Sequence, residues 1–270
     1  MKKICFVGGG NMASAMLSGL CKAHPLVDCH IIEPNALARE KLAAQNVNVH
    51  ALANRTAIVG ANAVVLAVKP QVLKLACAEL LPHLDGELMV SIAAGVRIDT
   101  IARWLNGHQR IVRTMPNTPA LIGQGVTGVY VPARLTAVDV DTATALMQST
   151  GVVVRVQSEA MIDAVTAVSG SGPAYVFHWI ESMLAAAEDA GFTAVDARTL
   201  VLGTLKGATA LAEASDESPG VLRERVTSKG GTTAAALAVL NERGVMAAIL
   251  QAVRAAKNRG AELGDLLDRE

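Results

Sequence analysis

The chain has 270 residues, enough for one large domain or two smaller ones. Hydrophobic residues make up 51 % of it and charged residues 18 %, a composition that excludes an intrinsically disordered chain. Lys+Arg and Asp+Glu both number 24 and aromatic residues make up 3 %, so we expect no nucleic-acid partner and no membrane-surface binding.

Short apolar runs alternate with amphipathic stretches through the first half of the chain. The runs typical of strands are KICFV, CHIIE, AVVLAV, ELMVSIAAG, RIVRTM, GVTGVYV and GVVVRV. The helical stretches include NMASAMLSGLCKAH, ALAREKLAAQ and TAVDVDTATALMQST. Because AVVLAV is apolar throughout, it indicates a strand buried on both faces of a parallel sheet. The alternation predicts an α/β fold with a doubly wound sheet.

The pattern changes after about Gln157, beyond which we predict no strand. Long Ala-rich helical stretches follow, such as AYVFHWIESMLAAAEDAG and VMAAILQAVRAAKNRGAEL. We therefore predict two domains, residues 1–157 with the sheet and residues 158–270 with helices alone. Broad apolar helix faces are typical of a chain that packs against a partner, although a bundle within one chain explains the pattern nearly as well.

The segment FVGGGNMASAM joins the first predicted strand to the first predicted helix. Gly8, Gly10 and Ala13 fit the pattern G-x-G-x-x-A, with Gly9, Asn11 and Met12 between them. In this pattern the glycines form a tight turn, and the small third residue lets the helix pack on the strand. Because a helix N-terminus attracts phosphate, residues 8–13 predict a site for the pyrophosphate of a dinucleotide.

Glu33 follows the second predicted strand, where such sheets place an acidic residue against the cofactor ribose. A carboxylate there accepts hydrogen bonds from the ribose hydroxyls of NAD and repels the 2′-phosphate of NADP. These residues alone therefore favour NAD. Arg39 is close enough along the chain to reach inward, but we interpret it as a solvated helix residue.

Two proline-containing segments, AVKPQ and RTMPNTPA, follow later strands. Lys69 is expected to point at the ligand crevice at the carboxyl edge of the sheet, and Pro70 to begin a helix. Arg113 fits a salt-bridge partner and a cofactor contact equally well.

The remaining reactive residues indicate no metal site. Cys5, Cys21, Cys29 and Cys77 form no C-x-x-C pair, and we expect free, largely buried thiols of a reducing compartment. The six histidines show no metal-ligand spacing. The apolar N-terminal run ends after Val7 and no apolar run is long enough to span a membrane, so we expect a cytoplasmic protein without a signal peptide.

Taken in chain order, GGGNMA, AVKPQ, SIAAGV, RTMPNTP, SGSGPAY and TSKGGTT resemble the pyrroline-5-carboxylate reductase family over the whole chain. The last motif lies within a family signature that spans roughly Pro219 to Asn241. The resemblance implies an N-terminal Rossmann domain and an all-helical C-terminal dimerisation domain, in dimers that often assemble into decamers. It also implies reduction of 1-pyrroline-5-carboxylate to L-proline with NADPH or NADH, the last step of proline biosynthesis.

The resemblance also assigns cofactor residues. Residues 8–13 match the pyrophosphate turn, and Asn54 matches an asparagine that contacts the adenosine ribose or its 2′-phosphate. The strand end beside the cofactor is matched by Ala67, Val68, Lys69 and Pro70. Glu33 departs from what a strict NADPH enzyme is expected to carry, so NADPH and NADH both stay open.

In the last motif, the resemblance assigns the substrate loop to Gly230, Gly231, Thr232 and Thr233, with the Thr233 hydroxyl at the ring nitrogen as the catalytic contact. Lys229 stands where many members of the family have proline.

The chemistry of this segment suits a small ring that carries a carboxylate. A glycine-rich turn ahead of a helix offers free backbone N–H groups and a positive dipole end to one anion. Ser228, Thr232 and Thr233 add hydroxyl groups, and no sequence pattern supplies a strong general acid. A plain Ser or Thr N-cap explains part of the motif, but a cap alone does not require two glycines.

Two other functions are weighed against this one. A β-hydroxyacid dehydrogenase needs a helical lysine as acid and base, and Lys206 is the obvious candidate, but its setting does not match that family's motif. A regulatory protein that binds a cofactor without turnover is disfavoured, because the chain keeps both the pyrophosphate turn and the GGTT loop.

Overall fold

The computed structural model describes residues 1–45 and 47–269. The chain forms two compact units. The first comprises Met1–Pro173 together with the C-terminal stretch from Ala255, and the second comprises Ala174–Arg254. The division into domains at residues 157 and 158 stays a prediction.

An eight-stranded sheet with the order β3-β2-β1-β4-β5-β6-β7-β8 forms the centre of the first unit. Neighbouring strands are parallel except β6 and β7, which are antiparallel. The strands are β1 Lys3–Val7, β2 Asp28–Ile32, β3 Asn48–His50, β4 Ala63–Leu66, β5 Met89–Ser91, β6 Ile111–Met115, β7 Gly125–Tyr130 and β8 Gly151–Arg155. The predicted α/β fold with a doubly wound sheet is confirmed.

The helices that accompany the strands are α1 Asn11–Ala23, α2 Ala36–Ala43, α3 Arg55–Ile58, α4 Pro70–Leu80, α5 Ile98–Trp104, α6 Ala137–Gln148 and α7 Ala160–Val165. Several of them begin where the sequence supplies a cap or a proline. Asn35 caps α2, Pro70 opens α4, and Thr136 with Asp139 forms a capping box at α6. A π-helical turn, Thr166–Gly170, follows α7.

Apolar side chains cover both faces of the sheet. All four residues of β4 are buried, as its unbroken apolar sequence predicts. One core cluster contains Val7, Leu66 and Leu73, and the other contains Phe6 and Met16. Complete burial of such a side chain contributes about 1.5–3 kcal/mol, so the two clusters hold the sheet and its helices together.

The strand order reverses beside β1, which lies between β2 and β4. Val7 is in register with both Ile32 and Leu66, so these three strands end side by side. Such a reversal at the carboxyl edge of a parallel sheet leaves a crevice in which ligands bind.

The second unit is helical. Thr193 and Ser218 cap two of its helices with their side chains. The helices of this part of the chain are α8 Gly172–Asp189, α9 Ala194–Glu213, α10 Pro219–Arg225, α11 Thr232–Glu242 and α12 Val245–Leu267, and α12 continues into the first unit. The predicted absence of strands after Gln157 holds for the described residues.

One strand was not predicted. β3 consists of only Asn48, Val49 and His50, and two of these residues are polar, so it lacks the apolar run that marks the other strands. It forms because it pairs with β2 at the edge of the sheet.

The cysteines are free thiols, as predicted. Burial raises the pKa of Cys5 and of Cys77 to about 12. Burial first, and then the neighbouring Cys21, raises the pKa of Cys29 to about 12. These three thiols are therefore protonated at neutral pH.

Within the described ranges, no group of three or more His, Cys, Asp or Glu side chains could hold a metal ion. In the same residues no single helix is long and apolar enough to cross a membrane. Helices α11 and α12 meet the length and composition criterion only as a pair bent by 48°.

Candidate functional site

The turn after β1 requires glycine at its first position. Gly8 has φ +95°, and a Cβ there would lie 2.8 Å from Val68 Cγ1 and 2.9 Å from the carbonyl oxygen of Ala67. The Gly8 N–H donates to the Ile32 carbonyl at 2.8 Å. The glycine turn is therefore packed directly against the ends of β2 and β4, as a cofactor crevice at this point requires.

The next two glycines differ in what surrounds them. A Cβ on Gly9 would collide with Leu42 Cδ1, whereas a Cβ on Gly10 would meet no atom within 4 Å. Gly10 is the N-cap of α1 and makes no side-chain cap. The N–H groups of Asn11 to Ala13 in the first turn have no partner further back in the helix. Open space in front of free helix amides fits a pyrophosphate group, and the fully buried Ala13 lets α1 pack closely on the sheet.

Glu33 is brought to the glycine turn, as the sequence predicts. Its Oε2 accepts the Gly9 N–H at 2.9 Å, and its Oε1 accepts the Asn35 N–H at 2.9 Å. Its own N–H donates to the His50 carbonyl at 2.9 Å. The carboxylate is thus fixed between the glycine turn and the start of α2, beside the place where such folds bind ribose.

Arg39 is not the solvated helix residue that the sequence suggests. Its Nη1 donates to the carbonyl oxygens of Glu33 at 3.0 Å and Pro34 at 2.7 Å, and the residue is partly buried. The side chain turns back because these two carbonyls lie past the end of β2, where the ladder no longer supplies donors. A positive charge therefore lies at the same strand end as the Glu33 carboxylate.

Asn54 begins α3, the short helix that packs against β2. Its Oδ1 accepts the Ala57 N–H at 2.9 Å, and its Nδ2 donates to the Leu52 carbonyl at 3.0 Å. Among the described residues, the second N–H of this side-chain amide makes no hydrogen bond.

The strand-end motif AVKP lies beside the glycine turn. The Ala67 N–H donates to the Val7 carbonyl at 2.9 Å, and Val68 lies against Gly8. Lys69 is exposed at the N-cap position of α4, and Pro70 is its first residue, as predicted. The structure thus brings residues 8–13, Glu33 and residues 67–70 together at one edge of the sheet.

A pair of histidines lies behind the Glu33 strand end. His30 Nδ1 lies 2.9 Å from His50 Nε2, and His30 Nε2 lies 3.0 Å from Asp28 Oδ2. The rings are nearly parallel, with centroids 5.2 Å apart. Burial first, and then the charges of His30 and Lys3, lower the pKa of His50. The sequence did not indicate this cluster, because the pairing of β2 with β3 creates it.

Arg113 is a salt-bridge partner. The side chain is 1 % exposed, and it lies 2.8 Å from Asp163 and 3.3 Å from Glu159. The same Glu159 carboxylate accepts the Ile98 N–H at 2.7 Å. Arg113 therefore joins β6 to α7, and Glu159 joins α7 to the start of α5. Because the Arg113 side chain is buried in these ion pairs, a cofactor contact is the wrong alternative.

Asn117, which the sequence places with two prolines in a rigid loop, joins that MPNTP loop to the π-helical turn. Its Nδ2 donates to the Ser169 carbonyl at 3.0 Å, and its Oδ1 accepts the Val126 N–H at 2.9 Å. The available signal was an asparagine between two prolines, a residue that satisfies backbone groups in a loop lacking its own hydrogen bonds. The segment that it holds leads into Ser171, Gly172 and Pro173.

In the second unit, the TSKGGTT segment forms a turn that leads into α11. Gly230 has φ +72°, and a Cβ on Gly231 would collide with Ser228 Oγ. The turn therefore requires glycine at Gly230, where φ is positive, whereas Gly231 has an ordinary φ of −82° and a Cβ there would mainly displace the Ser228 side chain.

The helix behind this turn offers backbone donors. Gly231 is the N-cap of α11 and provides no side-chain cap, and Thr232 and Thr233 are the first two helical residues. Thr232 is exposed and Thr233 partly buried. Free amides and hydroxyls at one helix end can bind a carboxylate.

Comparison with known proteins agrees with both parts of the chain. A family model for pyrroline-5-carboxylate reductase dimerisation matches residues 159–263. A model described as NADP oxidoreductase, coenzyme F420-dependent, matches residues 3–95. The pyrroline-5-carboxylate reductase of Pseudomonas aeruginosa is 41 % identical over 267 residues, which cover 98 % of each chain. That of Pasteurella multocida is 38 % identical over 271 residues, with the same coverage.

Solved structures give the same result. A pyrroline-5-carboxylate reductase from Coxiella burnetii has a TM-score of 0.89 at 36 % identity, over 96 % of this chain and 97 % of that one. A Plasmodium falciparum pyrroline carboxylate reductase with NADP bound has a TM-score of 0.86 at 28 % identity, over 97 % and 98 % of the two chains. With such identity over nearly its whole length, and with the motifs in the expected order, the chain belongs to the pyrroline-5-carboxylate reductase family.

Proposed function

We propose that this protein reduces 1-pyrroline-5-carboxylate to L-proline with NADPH or NADH, the last step of proline biosynthesis. The observation that carries the proposal is the match at 41 % identity over 98 % of both chains with a pyrroline-5-carboxylate reductase. The glycine turn at the strand-order reversal supports it, because a hydride-transferring enzyme must hold a dinucleotide there.

In this proposal the cofactor is bound by Gly8, Gly9, Gly10, Asn11, Met12, Ala13, Glu33, Asn54, Ala67, Val68, Lys69 and Pro70. The free amides at the start of α1 hold the pyrophosphate, and Glu33 accepts hydrogen bonds from the ribose. Lys69 and Pro70 border the crevice at the end of β4. The nicotinamide supplies the hydride when it is bound.

The substrate is bound by Ser228, Gly230, Gly231, Thr232 and Thr233. The amides at the start of α11 and its positive dipole end hold the carboxylate. The Thr233 hydroxyl oxygen accepts a hydrogen bond from the protonated ring N–H and so helps to keep the nitrogen protonated, which makes ring atom C5 electrophilic. Positioning is the main contribution of these residues, since a protonated imine needs no protein nucleophile to accept a hydride.

We further propose that residues 158–270 form a dimerisation domain, that the dimers assemble into decamers, and that the protein works in the cytoplasm. The dimerisation family model at residues 159–263 supports the first of these statements. Exposed apolar side chains on the same helices, such as Phe177 and Ile249, give a physical reason for it.

The test is an assay of purified protein with 1-pyrroline-5-carboxylate and either NADPH or NADH, followed at the nicotinamide absorbance band. The control is Gly10→Asp. Its Cβ meets no atom within 4 Å and aspartate is a favourable N-cap, so this variant should fold, while its carboxylate repels pyrophosphate. We expect turnover by the native chain and none by Gly10→Asp. A native chain that binds the cofactor but does not reduce this imine would disprove the proposal.

A further inference from the structure

We propose that Arg39 binds the 2′-phosphate of NADP(H) and so sets the cofactor preference, an inference that rests on the proposed cofactor role of the glycine turn. In this proposal Arg39 opposes the preference for NAD that Glu33 by itself predicts. The residue lies in the first turn of α2, after the end of β2.

The anchoring of the guanidinium is the first observation. Its Nη1 makes hydrogen bonds to the carbonyls of Glu33 at 3.0 Å and Pro34 at 2.7 Å. Across the described residues, Nε and Nη2 make no hydrogen bond to another side chain or to the backbone. One nitrogen thus anchors the group, and the other two remain available to a ligand.

The second observation is that the charge of Arg39 is not neutralised. Glu33, the carboxylate at the same strand end, is bound instead to the N–H groups of Gly9 and Asn35, and the adjacent Glu40 is exposed. No ion pair joins Arg39 to an acidic side chain in the part of the chain that the structure describes. The strand end therefore carries a fixed anion and a fixed cation, each held by neutral backbone groups.

The two charges suit two parts of one cofactor. The acidic residue at the end of β2 meets the ribose hydroxyls in folds of this kind, and the 2′-phosphate is attached to that same ribose. Since Arg39 is bonded to the carbonyl of Glu33 itself, its guanidinium lies within reach of the same sugar. A planar guanidinium matches phosphate oxygens in geometry as well as in charge.

Anchoring distinguishes Arg39 from the other cations of this region. Lys41 is exposed on the same helix, and Arg55 is exposed at the start of α3, next to Asn54. Each would have to be ordered when the phosphate binds, whereas Arg39 is already held in place. Lys41 and Arg55 therefore provide matched controls for removal of one positive charge.

The experiment measures dissociation constants of NADPH and NADH by nicotinamide fluorescence for the native chain and for Arg39→Gln, Arg39→Lys, Lys41→Gln and Arg55→Gln. We expect Arg39→Gln to weaken NADPH binding about ten- to hundredfold, the loss typical of a charge-assisted contact, with NADH unchanged within about twofold. Arg39→Lys should recover part of the loss, and the two control variants should change neither cofactor.

Equal weakening of both cofactors by Arg39→Gln would overturn the proposal, because it would show that the side chain only supports the strand end. An unchanged NADPH affinity, or a loss confined to Arg55→Gln, would overturn it as well. If Arg39→Gln does not fold, Arg39→Lys decides alone, through the ratio of the two dissociation constants. Binding needs no imine substrate, so this test can fail or succeed independently of the reductase assay.

Discussion

The carboxylate of Glu33 accepts two backbone N–H groups, so it is held against the glycine turn and does not rotate freely into solvent. This geometry keeps a negative charge beside the proposed ribose position with either cofactor. At about 4 Å from a carboxylate, each charge of a 2′-phosphate costs roughly 1 kcal/mol in water and several times more at an effective dielectric constant of 20. Glu33 and Arg39 therefore act in opposite directions on the choice between NADPH and NADH.

We predict that Glu33→Ser raises the ratio of NADPH to NADH catalytic efficiency by about tenfold, equivalent to about 1.4 kcal/mol, because repulsion is removed and a ribose contact is lost. Steady-state kinetics with both cofactors checks this ratio. Glu40→Ser, which removes an exposed carboxylate from α2, is the control. A ratio that stays the same in Glu33→Ser would mean that Glu33 does not face the ribose.

At the scale of single residues, Thr233 offers a second test. Thr233→Ala should lower turnover about ten- to hundredfold and leave cofactor binding intact, since it removes one hydrogen bond made in the transition state. The exposed neighbour Thr232 supplies the matched variant Thr232→Ala, for which we expect a smaller loss. Unchanged kinetics in Thr233→Ala would remove this hydroxyl from the mechanism.

At the scale of elements, the outer edge of the sheet depends on polar pairing. β3 has three residues, and it is held to β2 by the ladder, by the contact between His30 and His50, and by the hydrogen bond from Asn48 to Asp28. A hydrogen bond between two ring nitrogens contains one proton, so both imidazoles cannot be fully protonated while it persists. The segment that carries Asn54 follows directly after β3, so the proposed contact of Asn54 with the adenosine ribose depends on this edge.

We predict that the free energy of unfolding falls as the pH is lowered through the range in which His50 takes up a proton. The folded state depresses the pKa of His50 below its ordinary value of 6.5, so the unfolded chain binds the proton more readily. The stabilisation is complete above pH 6.5 and is lost as the pH falls through the lowered folded pKa.

Denaturant unfolding measured across this range checks the prediction. His50→Gln should reduce the proton uptake on unfolding by up to about one proton. Replacement of the exposed His178 by Gln is the control, and we expect it to leave the pH dependence as it is. If His50→Gln and the native chain have the same pH dependence, the pair contributes nothing to it.

At the scale of the whole molecule, the helices after residue 172 expose many large apolar side chains. The exposed fraction is 60 % for Phe177, 76 % for Met246 and 55 % for Ile249. Isolated exposed apolar residues are ordinary, but many on one group of helices are typical of an interface. The family model for dimerisation covers the same residues.

We predict that the protein is at least a dimer and that Ile249→Arg shifts it towards monomers, because a charge would be buried without a partner. Light scattering and sedimentation on dilute protein measure the mass. Val138→Arg, which changes an apolar residue on α6 that is 70 % exposed, should leave the mass unchanged. A native chain that is monomeric and active would contradict the prediction.

The amino-acid sequence by itself determined the α/β class, the glycine turn, the place of Glu33 and the family. These features depend on local spacing: glycines between a strand and a helix, an acid after the next strand, and apolar runs of strand length. The tertiary structure decided which groups meet. Arg113 pairs with residues 46 and 50 positions away, and Arg97 with Asp265, 168 positions away.

Arg39 shows the same difference between sequence and structure, because the sequence predicts a solvated side chain and the folded chain holds it against two carbonyls. On a helix of mixed composition, an arginine is ordinarily solvated, and nothing in the spacing shows that two carbonyls lie within its reach. Only the folded end of β2 leaves those carbonyls without ladder partners and places them beside α2. The sequence thus determined that a dinucleotide crevice exists, and the packing of the chain decided which charges surround it, because electrostatic contacts depend on distances that close only in the folded state.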